Sequence, residues 1–166
     1  MIIRRNLFTN EIFIIDMSSL KELHDRYPKI LFPTIWQHIT SLIQEGQLYS
    51  HIEVLREIRN TIYPKDKLLL WSNKNKKIFS GLDDCQISKV PLIKSKFNPD
   101  YWNNNMNRPA PWADPYLIAM AICEEGIIVT QEKHKTKANR IPPIARGFGI
   151  DSLNLLEFFQ KLKIKL

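Results

Sequence analysis

The chain has 166 residues, 44% of them apolar and 25% charged, enough to bury one core without disulfides or structural metals. Lys and Arg outnumber Asp and Glu by 24 to 17, a net charge of +7, which points to a polyanionic partner such as nucleic acid ahead of an acidic lipid surface. No apolar run is long enough to span a bilayer, and Thr9, Asn10, Glu11 and Asp16 interrupt the segment after Arg4 and Arg5, so neither a membrane partner nor a secretory leader is expected.

Ile12-Phe13-Ile14-Ile15 is a continuous apolar run rich in β-branched residues, which predicts a central strand buried on both faces with Asp16 at its carboxyl end. Ser18 and Ser19 are placed to cap a helix over Leu20 to Arg26 that Pro28 ends. Pro33 then opens a second helix through Gln44, before Gly46. Leu48 and Tyr49 suit a short second strand. Ile52, Leu55 and Ile58 recur at helical spacing behind Ser50 as a candidate N-cap, which puts Glu53 and Glu57 on one helix face, a turn apart.

Lys65 to Phe79 reads as a helix built on Leu68, Leu69, Trp71 and Phe79. Asp83 to Phe97 is amphipathic without a clear period and holds Pro91, which starts or breaks a helix. Asn98 to Pro111 is rich in Asn, Pro and aromatics and is expected to be a loop. Asp114-Pro115 opens a helix through Glu125, Gly126 closes it, and Ile127-Ile128-Val129-Thr130 follows as a strand. After a basic stretch to Arg140, Ile141-Pro142-Pro143 begins a short helix. Ile150 to Leu153 forms a last strand, and Asn154 caps a final helix through Lys163. Short apolar strands alternating with helices predict a single α/β domain over residues 1–166, a central parallel sheet of about four to five strands between helical layers. Cys85 and Cys123 are too few for a disulfide framework and too far apart for a CxxC knuckle, so both are expected as reduced thiols of a cytoplasmic protein.

The chemistry suggested by this layout is carboxylate chemistry. Asp16 follows the first strand, Asp114 begins a helix, Glu132 lies just past a strand end, and parallel α/β sheets gather such positions at one rim. Clustered carboxylates raise one another's pKa and generally need cations, and hard oxygen ligands select Mg²⁺ or Mn²⁺. Those ions keep several waters and take phosphate oxygens, which suits phosphodiester hydrolysis.

With these residues in place, the sequence resembles the PIN-domain superfamily. The resemblance runs through Ile14-Ile15-Asp16 with Ser18-Ser19-Leu20, Val54-Leu55-Arg56-Glu57-Ile58, Ala113-Asp114-Pro115-Tyr116-Leu117-Ile118-Ala119-Met120-Ala121 and Val129-Thr130-Gln131-Glu132-Lys133. It is most similar to a prokaryotic branch related to VapC-type toxins. The resemblance implies a Rossmann-like parallel sheet and Mg²⁺- or Mn²⁺-dependent endoribonuclease activity on single-stranded or structured RNA, often as a dimer and often with an antitoxin partner. By the same resemblance Asp16, Glu57 and Asp114 match metal-binding acids, with Glu53 as the alternative to Glu57, and Glu132 stands where the common pattern has Asp. Candidate substrate contacts are Ser18, Thr130, Lys133, Lys135 and Arg140.

Ordinary explanations compete with each of these residues. Asp114 before Pro115 is a common N-cap arrangement, Asp16 could cap the helix after it, Glu53 and Glu57 could form a solvated face beside Arg56 and Arg59, and a basic run is usually a solvated loop. Tyr101, Trp102 and Trp112 could stack on unpaired bases or anchor a long segment. No GxGxxG, GxxxxGK[ST] or GxSxG motif is present, and Ser18 stands where an aspartyl phosphatase would place a second acid. The rival to a nuclease is a nucleic-acid-binding protein of the same fold with little or no cleavage.

Overall fold

The computed structural model describes residues 11–61, 63, 65–132 and 138–165. In chain order the elements are β1 (Phe13–Ile15), α1 (Met17–Arg26), α2 (Pro33–Gln44), β2 (Leu48–His51), α3 (Ile52–Thr61), α4 (Lys67–Lys74), a 3₁₀ turn (Lys76–Ile78) and β3 (Phe79–Ser80). They continue with α5 (Asp84–Lys94), α6 (Pro99–Asn107), α7 (Asp114–Glu124), β4 (Ile127–Val129), α8 (Ile141–Arg146), β5 (Ser152–Leu153) and α9 (Leu155–Lys161). The five strands are all parallel in the order β3-β2-β1-β4-β5, with helices flanking the sheet.

β1 lies at the centre because its three side chains are wholly excluded from water, as a strand covered on both faces requires. Ile15 is in register with Val129 of β4, and Ile14 with Tyr49 of β2. The chain runs outward from β1 to β3 on one side and from β4 to β5 on the other, so its direction of winding reverses between β1 and β4. In open parallel sheets that switch point opens a crevice at the carboxyl ends of the strands. α7 packs on β1, β2 and β4 and against α5, while α1, α3 and α4 pack on one another.

Gly126 joins α7 to β4 where a Cβ would meet Ile14 Cδ1 at 3.0 Å and the Ile12 carbonyl at 3.1 Å. The glycine permits close approach to β1, whereas the left-handed residue ending α7 is Glu125, at φ 51°.

Several local expectations are corrected. Asp16, rather than Ser18 or Ser19, caps α1 by accepting from the Ser19 amide. Ser50 is a buried strand residue whose hydroxyl donates to the Ile15 carbonyl at 2.6 Å, and the acceptor for the Glu53 amide is instead His51 Nδ1. The helix expected over 65–79 stops at Lys74, because Asn75 folds back onto the Trp71 carbonyl, and Phe79 joins the sheet. Pro91 lies inside α5. The loop expected over 98–111 contains α6. Asn98 caps it through the Asp100 and Tyr101 amides, Pro99 sits in its first turn, and Trp102 anchors it against Phe97 and Trp112.

The thiol expectation is also overturned. Cys85 on α5 and Cys123 on α7 are 38 residues apart in sequence, but the packing of the two helices brings their Cα atoms within 6.1 Å and the sulfurs are bonded. Among the described residues no helix is long and apolar enough to cross a membrane.

Candidate functional site

At the switch point, Asp16, Glu57, Asp114 and Glu132 line one cavity of about 290 Å³ together with Met17, Ser18, Lys21 and Leu117. Each acid comes from a different part of the chain: the end of β1, the middle of α3, the first residue of α7 and the segment after β4.

Asp16 is 5% exposed and held from three sides. Ser18 Oγ donates to both carboxylate oxygens at 2.8 Å, the Ser19 amide donates to Oδ1 at 2.8 Å, and Thr130 Oγ1 donates to Oδ2. Burial raises the Asp16 pKa, and the bonds from Thr130, Ser19 and Ser18 oppose the rise. Capping and cavity lining are therefore both true of this residue. The Ser18 and Thr130 hydroxyls orient Asp16, and Ser18 also lines the cavity. Thr130 Oγ1 also accepts from the Glu132 amide, and Ser18 Oγ from the Gln131 amide, so the two strand exits are tied together.

Glu57 accepts from the Ala113 amide at 2.8 Å, which links α3 to the start of α7 across 56 residues of sequence. Burial pushes its pKa up to about 7, opposed by that amide and reinforced by the charge of Asp16. Glu53 points elsewhere and pairs with Arg56. Of the two acids on α3, only Glu57 lines the cavity.

Asp114 makes no capping bond. Ala113 occupies the N-cap position, leaving the Asp114 carboxylate as a partly buried group at the cavity wall. Its pKa is raised well above the ordinary range, by burial first and then by the charges of Glu132, Glu57 and Asp16. Glu132 accepts from the Ile141 amide at 2.7 Å, satisfying the first turn of α8, and lies 3.6 Å from Arg140. Burial raises its pKa, while the Ile141 amide and Arg140 oppose the rise.

The donor set is oxygen only, as hard cations require. Among the described residues, no three His, Cys, Asp or Glu side chains close into a compact coordination group; the four acids instead surround an open volume. An ion held here would touch one or two of the carboxylates directly and reach the others through its own water, as Mg²⁺ can.

Arg140 is engaged with Glu132, and Lys133, Lys135, Lys137 and His134 lie outside the described residues. Trp102 and Trp112 are buried in an edge-to-face cluster, so they anchor α6 rather than present open ring faces. Lys21 was not expected at the site. The available signal was its place on α1, one turn beyond Met17 and Ser18, where a strand-end acid directs the first turns of the helix toward the same crevice. His51, at the end of β2, lies outside the cavity: it is buried, stacks on Tyr116, accepts from the Glu53 amide and meets Gln86 on α5 at 2.9 Å.

The profile of the family described as Domain of unknown function (DUF4411) matches residues 13–166, and the chain belongs to that family. No curated protein matches the sequence. Among solved structures, the chain is similar to the crystal structure of PAE2754 from Pyrobaculum aerophilum, with 16% identity over 84% of this chain and 97% of that one, at a TM-score of 0.41.

Proposed function

We propose that this member of the DUF4411 family is a Mg²⁺- or Mn²⁺-dependent endoribonuclease of PIN-like type. The observation that carries the reading is the convergence of Asp16, Glu57, Asp114 and Glu132 on one cavity at the sheet's switch point. Burial holds all four pKa values up, and repulsion from neighbouring carboxylates adds to the rise at Glu57, Asp114 and Glu132. Asp16, Glu57 and Glu132 each also serve the fold by accepting a backbone amide, and a divalent cation would relieve the repulsion that their convergence with Asp114 creates.

One or two of Asp16, Glu57 and Asp114 would touch the cation directly and the remainder through its water, with Glu132 at the edge. When bound, the ion lowers the pKa of a water molecule and offsets charge on phosphate oxygens. The protein's own residues have separate tasks. Ser18, Ser19 and Thr130 fix the Asp16 carboxylate, the Ala113 amide fixes Glu57, and Lys21 at the rim would meet a phosphate by exchanging its partner Asp25. The net charge of +7 favours approach of a polyanion. RNA as substrate, an antitoxin that crosses the acidic cavity, a homodimer and a cytoplasmic site of action follow from the PIN-like resemblance and are part of the proposal.

A second reading has one observation behind it. Glu132 is already committed to the Ile141 amide and Arg140, which suits a nucleic-acid-binding protein that has lost efficient cleavage. Incubation of single-stranded and structured RNA with purified protein and Mn²⁺ decides between them. Cleavage that disappears in both Asp16→Asn and Asp114→Asn, each still folded by circular dichroism, supports the nuclease. Binding without cleavage supports the second reading, and cleavage retained in the double variant removes the carboxylate mechanism.

A further inference from the structure

A second cavity of about 410 Å³ is formed by α1, the α1–α2 connection, α2 and α4, and is lined by His24, Pro28, Lys29, Ile30, Trp36, Thr40, Lys67 and Trp71. Its size falls within the range of small-ligand sites. The nuclease reading makes no use of it.

The floor is aromatic. His24 meets Trp36 edge-on at 4.8 Å and Trp71 at 5.3 Å, and the two indoles meet at 6.1 Å. Trp36 donates its indole N–H to the Tyr27 carbonyl, whereas that of Trp71 makes no hydrogen bond among the described residues. His24 is tied to the Leu20 carbonyl, and burial pushes its pKa down, so the ring contributes an uncharged wall.

The positive charge comes from Lys29 and Lys67, both exposed and neither in an ion pair with a described residue. Of the nearby acids, Asp25 pairs with Lys21 and Asp66 caps α4 through the Leu68 amide; the charges of both reach His24, and Lys29 and Lys67 offset them at the mouth of the cavity. Aromatic walls, an indole donor without a partner among the described residues and two ammonium groups outside any ion pair with a described residue fit a planar heterocycle that carries an anionic group.

We propose that this cavity binds a nucleotide, its base against Trp71 and its phosphate between Lys29 and Lys67. The two cavities share α1. Lys21 lines the carboxylate cavity and His24 lines this one, a separation of about 4.5 Å along the helix axis. The two cavities therefore open along the same helix. If the nucleotide belongs to a strand, the cavity is a base-holding subsite of the nuclease, and this choice of source alone rests on the proposed function.

The test uses the full-length ¹⁵N-labelled protein in EDTA, where nothing is cleaved. The four tryptophan indole signals are followed by NMR, with that of Trp71 identified from Trp71→Phe. A nucleoside monophosphate should shift the Trp71 signal, and the Lys29→Ala/Lys67→Ala protein, with unchanged melting temperature, should bind it about tenfold more weakly or worse, as expected for loss of a charge-assisted contact. A short single-stranded oligonucleotide that shifts the same signal at lower concentration identifies the strand as the source; a monophosphate that binds more tightly identifies a free nucleotide. No shift at millimolar ligand, equal binding by a phosphate-free nucleoside, or unchanged affinity in the lysine variant overturns the site. None of these results depends on whether RNA is cut.

Discussion

Glu57→Gln isolates the electrostatic cost of the carboxylate cavity. Glutamine keeps an oxygen that can accept from the Ala113 amide but cannot ionise. In the native protein burial lifts the Glu57 pKa from 4.5 to about 7. The folded state therefore retains a proton that the unfolded chain releases. This contribution to stability is complete below pH 4.5 and is lost as pH rises to about 7. A displacement of that size corresponds to about 3 kcal/mol as a ceiling, and local relaxation and water entry reduce it.

Without divalent cations, the native and Glu57→Gln proteins should have equal unfolding free energies near pH 4. At pH 8 the variant should be ahead by roughly 1–3 kcal/mol, a melting temperature several degrees higher at roughly 2–4 °C per kcal/mol for a chain of this size. Urea titrations across this pH range measure it. Mn²⁺ should narrow the gap at pH 8, because binding stabilises the native protein more than the variant. A gap that does not change with pH, or a variant weaker at pH 8, refutes the reasoning that Glu57 is held in an unfavourable charged state.

Glu132 and the disulfide give two further expectations. Glu132→Ala should lose on the order of 1–3 kcal/mol in chemical denaturation by orphaning the Ile141 amide, and Glu132→Gln should recover most of it. Failure of Gln to recover stability would mean that the charge, through Arg140, matters more than the cap. Removing the Cys85–Cys123 bond by paired Ser substitution should lower stability by on the order of 4 kcal/mol on the chain-entropy account for a loop of its length. An unchanged urea midpoint relative to the reduced native protein is expected as the control, and an unchanged midpoint relative to the oxidised protein would show that the bond constrains little.

How far the site could be read beforehand depended on whether a residue's role is local. Asp16 was legible because the short, β-branched run Ile12-Phe13-Ile14-Ile15 suits a strand buried on both faces, and an acid at its carboxyl end lands on the binding rim of a parallel sheet. Asp114 was legible as a helix start, but its side chain was not. Only the structure shows Ala113 taking the N-cap position and leaving that carboxylate free of capping. Glu53 and Glu57 share a helix face, so no period separates them. The rotation of α3 is set by His51 at its start and by the Ala113 amide arriving from distant sequence.

The misread elements share that origin. α6 looked like a loop because Asn and Pro are usually breakers, yet here Asn98 and Pro99 begin a helix and Trp102 holds it down. The cysteine bond depends wholly on how α5 meets α7. The same dependence links the two cavities to one helix: α1 carries a capping acid at its start, a lysine at the carboxylate rim and a histidine beneath two indoles. A change that shifts α1 along its axis should therefore perturb both sites at once, whereas Lys29→Ala and Lys67→Ala, which leave α1 in place, should perturb only one.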